Sequence, residues 1–156
     1  MTDNIPSMQE QQEPQPNPAL KALEIMVGAW DLEGRDFTTK EEVRGQSTFA
    51  WLEGGFFLIH RFHFDYAGRP FTGVEYIGYK EESGHLKTHV FSNQGGDPLE
   101  YTWEVDEHSF TNWFGDVGAD NHYKGTFSED RNTLTGQWEW PGGGYEAIMT
   151  RVRSGQ

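Results

Sequence analysis

From Val27 onward, apolar and polar residues alternate in short runs, the two-residue period of strands that turn one face inward. The runs are Val27–Phe37, Val43–Leu52, Phe56–Tyr66, Phe71–Lys80, His85–Ser92, Leu99–Val105, Ser109–Phe114, His122–Ser128, Thr133–Trp140 and Tyr145–Val152. Between them stand turn-forming groups such as Glu53-Gly54-Gly55, Ala67-Gly68-Arg69-Pro70, Glu82-Ser83-Gly84 and Pro141 to Gly144. The breaks recur about every 8 to 12 residues, as in an antiparallel sandwich or barrel. A meander of about ten strands with no helix between them hides its edges best by closing on itself. The predicted fold is all-β, an antiparallel up-and-down β-barrel.

Before Val27 the period differs. Asn17 suits a helix cap and Pro18 the first helical position, and Leu20, Leu23, Met26 and Val27 recur at helical spacing as far as Gly28. A helix this short must dock its apolar stripe on the strands that follow. Met1 to Pro16 is rich in Gln, Glu and Pro and carries too little apolar surface to offset its ordering entropy. The chain thus divides into a disordered polar tail, 1–16, and a barrel domain, 17–156.

Alternation also assigns faces. Leu99, Tyr101, Trp103 and Val105 read inward against Glu100, Thr102 and Glu104; Leu134, Gly136 and Trp138 do so against Thr135, Gln137 and Glu139. Val43, Gly45, Ser47, Phe49 and Trp51 form another inward row. Large and small residues mixed in this way suit a tapered barrel that is either packed or has room for one small ligand.

Composition narrows the partners. The chain is 15% aromatic with 19 Gly, where average usage of roughly 7% would give about 11, a surplus suited to strands and turns. A net charge of −13 argues against nucleic acid or an anionic membrane as partner, because both require clustered Lys and Arg. No run approaches the roughly 20 apolar residues of a membrane span, and the N-terminus lacks the basic and apolar regions of a signal peptide, so a cytoplasmic location is expected. Cysteine is absent, which removes thiol nucleophiles and thiolate metal sites. Oligomeric state is left open.

Met26-Val-Gly28-Ala-Trp30, placed after a short helix at the entry to the first strand, resembles the Gly-x-Trp opening of the lipocalin or calycin barrels. Trp51-Leu-Glu-Gly-Gly-Phe56, Phe71-Thr-Gly73 and Ile77-Gly78-Tyr79 resemble a bacterial lipocalin-like family catalogued as domain of unknown function 1579. The likeness spans about Leu20 to Arg153. It implies a barrel with an internal cavity and no established reaction. The haem-binding nitrobindin barrels open Gly-x-Trp-x-Gly-x-Gly; Gly28, Trp30 and Gly34 match and Leu32 departs. Their haem ligand is a His near the C-terminus, and no His follows His122 here.

The candidate chemistry follows from these faces. Gly28 and Trp30 read as a structural plug of the closed end, with Arg151 the natural cation to lie over the indole. His60 shares a face with Phe62 and is the histidine expected inside, as a satisfied core group, a ligand anchor, an acid or base, or a haem ligand. His85 and His89 would stand roughly 13 Å apart on a strand and cannot share a metal, so no metal site is expected. Glu75 lies on a face that alternation leaves undirected; turned inward it would need a cationic partner such as Arg151, and its plainer reading is a solvated strand residue. Trp113, Phe114, Trp138 and Trp140 would be either buried or an exposed stacking patch.

No nucleophile elbow, phosphate loop or zinc motif is present. The preferred function is therefore binding of a small apolar or aromatic molecule inside the barrel, without a required cofactor, by Trp51, His60, Phe62, Tyr101, Trp103, Tyr123, Trp138 and Met149. The rivals are an isomerase or cyclase using His60 or Glu75, haem binding through His60, and a packed barrel acting through its acidic surface.

Overall fold

The computed structural model describes residues 13–153. Most of the polar stretch 1–16, expected to be disordered, lies outside the described residues. Ten antiparallel strands form one closed barrel: β1 (Gly28–Asp36), β2 (Glu42–Trp51), β3 (Leu58–Tyr66), β4 (Arg69–Lys80), β5 (His85–Ser92), β6 (Leu99–Val105), β7 (Ser109–Phe114), β8 (His122–Phe127), β9 (Thr133–Trp140) and β10 (Gly143–Arg151). Each strand pairs with its sequence neighbours, and β1 pairs with β10 from Trp30↔Arg151 to Asp36↔Tyr145 to complete the ring. Among the described residues no helix is long and apolar enough to cross a membrane.

The N-terminal helix, Pro18–Met26, is a 3-10 helix. Its buried residues Leu20, Leu23 and Met26 are spaced by three, so at three residues per turn they eclipse into a single stripe. Val27 falls outside it in extended conformation. The Asn17 side chain accepts a hydrogen bond from the Ala19 N–H, as a cap should.

This helix closes one end of the barrel. Trp30, 1% exposed, donates its indole N–H to the Met26 carbonyl at 2.9 Å. The Arg151 guanidinium lies 4.2 Å from the centre of the Trp30 ring and donates to the carbonyls of Val27, Ile25 and Arg131 and to Asn132 Oδ1. Gly28 sits at φ +123°, and a Cβ there would meet an Arg151 nitrogen at 3.1 Å. A bare backbone is what lets the arginine reach under the helix.

At two positions burial departs from what the alternation implies. Leu99 is exposed at the uncovered rim, because β6 begins there beyond the packed interior. Thr102 faces outward yet is fully buried: its hydroxyl donates to the Gly115 carbonyl at 2.6 Å and accepts from Lys87 Nζ at 2.7 Å. Lys87 also reaches Asp116, so the segment after β7 folds back over the outer wall. Trp113, Thr102's partner in the ladder, is buried on that same face, whereas Phe114 is exposed.

Candidate functional site

The inward faces leave a cavity of about 260 Å³ running from Met26 and Phe49 beside the helix to Phe71, Asn121 and Trp140 at the opposite end. A void of about 150 Å³ holds benzene, and drug-sized sites start near 300 Å³, so this space suits one ring system with a short substituent. Most of the wall is aromatic. Phe62 stands 5.0 Å from Phe71 and 5.3 Å from Phe64, and Trp138 contacts both Tyr101 and Tyr123 edge-on or tilted.

One polar cluster interrupts this lining. Register places Phe49, His60 and Glu75 in a single row across β2, β3 and β4, with Ser47 one inward position away. His60 Nδ1 lies 2.8 Å from Glu75 Oε1 and Nε2 lies 2.8 Å from Ser47 Oγ. The imidazole stacks on Phe49 with centroids 4.1 Å apart and planes 10° from parallel, which fixes its orientation. Glu75 is 4% exposed and Ser47 2%. With Glu75 ionised, Nδ1 carries the proton donated to it, and Nε2 then accepts the Ser47 hydroxyl proton. The tautomer follows from the chain of partners.

Other polar groups along the wall lack partners. Trp103 Nε1 and Asn112 Oδ1 are buried and unbonded, and these residues face each other directly in the β6–β7 ladder. The Tyr101 phenol is pushed up to about 12, by burial first and by the Glu75 charge second. Burial alone raises Tyr123, whose hydroxyl is spent on the Ala147 carbonyl at 3.0 Å.

Of the residues expected to meet a ligand, His60, Phe62, Tyr101, Trp103, Tyr123, Trp138 and Met149 line this cavity. Trp51 does not. It sits at the helix-covered end, where its indole N–H donates to Glu24 Oε1 at 3.0 Å. Glu75 points inward and is not the solvated residue of the plainer reading; its partner is His60, while Arg151 is committed to the closed end. Trp138 and Trp140 line the cavity and Trp113 is buried, so these residues form no outer stacking patch with the exposed Phe114. Alternation places Ser47 on an inward row, but nothing in the sequence marks it or Asn112 as a site residue, since their partners lie on other strands.

His60 does not fit the part of haem ligand. Nε2 points at the buried Ser47 in the wall and Nδ1 at Glu75, so an iron would have to occupy the place of one of these side chains. Among the described residues no three His, Cys, Asp or Glu side chains are grouped to hold a metal ion. A comparison with curated proteins gives no match.

A family described as "Protein of unknown function (DUF1579)" matches residues 15–111, a span that contains the helix, Trp30, Ser47, His60, Glu75 and Trp103 but stops before Tyr123, Trp138 and Arg151. That span is more than half of the chain, and the chain belongs to this family.

Proposed function

We propose that the protein binds a small, largely apolar ring-bearing molecule inside the barrel. The observation that carries this reading is a cavity of about 260 Å³ whose mostly aromatic wall is interrupted by a few polar side chains, His60, Glu75, Asn112 and Asn121 among them. Rings on the wall supply contact area, and the polar side chains supply orientation. The acidic chain disfavours a polyanionic occupant.

Titration with an apolar fluorescent probe, read by quenching of tryptophan emission, tests the proposal. Affinity on the order of micromolar is expected, and Trp103→Ala should alter the quenching signal, because Trp103 lines the cavity. Native mass spectrometry of freshly purified protein would identify a retained occupant. Absence of saturable binding by any apolar or aromatic probe would refute the reading.

A further inference from the structure

The series Ser47, His60 and Glu75 is more than a ligand anchor needs. A single anchoring hydroxyl requires no base behind it, whereas here a hydroxyl, an imidazole and a carboxylate are joined in series at 2.8 Å and 2.8 Å, all three on the cavity wall. Such a series is recognised by geometry and roles and is independent of fold. We infer that Ser47 is a nucleophile and His60 its general base, with Glu75 as positioning residue, and that the barrel hydrolyses small aromatic esters. The inference rests on the cavity being a binding site.

Two features support it. Because Ser47 gives its proton to Nε2, its oxygen lone pairs are left for an electrophile in the cavity. The imidazole cannot swing away, being stacked on Phe49 and held at Nδ1 by Glu75.

The reaction balances with water as the only co-reactant. Ser47 Oγ bonds to the ester carbonyl carbon while its proton passes to His60 Nε2. The carbon–oxygen bond to the leaving group breaks, and that proton leaves with the released phenol or alcohol. Water then attacks the acyl–serine, giving one proton to Nε2; the acid departs, and the proton returns to Ser47 Oγ.

The test uses 4-nitrophenyl acetate as substrate, diisopropyl fluorophosphate as trapping reagent and 4-nitroanisole as a non-hydrolysable ligand of similar shape. The intact protein should release a burst of 4-nitrophenolate equal to the protein concentration. Phosphorylation should map to Ser47 within the tryptic peptide Gly45–Arg61, a readout that needs no variant. Ser47→Ala should abolish both signals while still binding 4-nitroanisole, and Glu75→Gln should lower kcat by about 100-fold with KM unchanged. Binding of 4-nitroanisole without any Ser47 adduct would overturn the inference and leave the binding function standing. Adducts that persist in Ser47→Ala, or map only to surface lysines, would overturn it too. Failure to bind 4-nitroanisole or any other aromatic probe would remove both.

Discussion

Replacing His60 by Phe isolates the energetics of the buried row. A phenyl ring keeps the stack on Phe49, at present 4.1 Å between centroids, so packing changes little. What changes is Glu75, only 4% exposed, which loses the one side-chain partner it has among the described residues. Leaving a buried acceptor without its donor costs about 1 to 3 kcal/mol, and more for a charged group. The carboxylate borders a cavity that water can enter, which holds the expected loss to about 3 kcal/mol. Replacing both partners by apolar groups removes the stranded charge, so His60→Phe with Glu75→Leu should lie within about 1 kcal/mol of the parent. The double variant should therefore be more stable than His60→Phe alone, a coupling of about 2 kcal/mol with the sign opposite to simple addition. Urea unfolding followed by tryptophan fluorescence measures all three, with unchanged m-values securing the comparison. A His60→Phe variant within about 0.5 kcal/mol of the parent, the range of ordinary surface changes, would refute the reasoning, as would a double variant weaker than either single one.

At the closed end, Trp30→Ala should cost about 3 to 5 kcal/mol in chemical denaturation. Arg151→Ala should cost less, and the two losses should fall short of additivity by about 1 kcal/mol because the guanidinium lies on the ring. Gly45→Ala should destabilise by about 1 to 3 kcal/mol, since its Cβ would meet Phe64 at 2.3 Å and the His63 carbonyl oxygen at 2.4 Å, and β3 must move; thermal melting reads this. For Tyr101, the folded-state pKa of about 12 lies above the ordinary 10.0. Its contribution to stability is complete below pH 10 and lost as pH rises toward 12, so phenolate absorbance should appear later in the folded protein than in urea.

Strand periodicity carried most of the fold because nearly every strand buries one face only, so the two-residue alternation survives in the chain. The N-terminal helix was visible for a related reason, although Leu20, Leu23 and Met26 repeat at three and thus specify the tighter 3-10 form. Glu75 escaped direction because Ala67-Gly68-Arg69-Pro70 reads as a four-residue loop. In the structure only Ala67 and Gly68 turn, both at positive φ, and Tyr66 pairs with Arg69. That two-residue hairpin alone sets the register His60↔Glu75, so recognising the turn would have placed the carboxylate beside the imidazole. The burial of Thr102 and Trp113 has no such local signal. It depends on the segment after β7 lying back on the wall, and a return of chain onto an outer face leaves no period to read.

The seam between β1 and β10 gives the barrel a history as well as a shape. Every other ladder joins strands adjacent in sequence and can zip as soon as the second strand exists, whereas this one joins the first strand to the last. During synthesis the growing sheet therefore carries two bare edges, one on β1 and one on the newest strand, open to pairing with another chain. Only the arrival of Tyr145–Arg151 abolishes both at once. Arg151, at the tip of that strand, then reaches the carbonyls of Ile25 and Val27, so the strand that completes the barrel is also the latch that fastens the helix over its base.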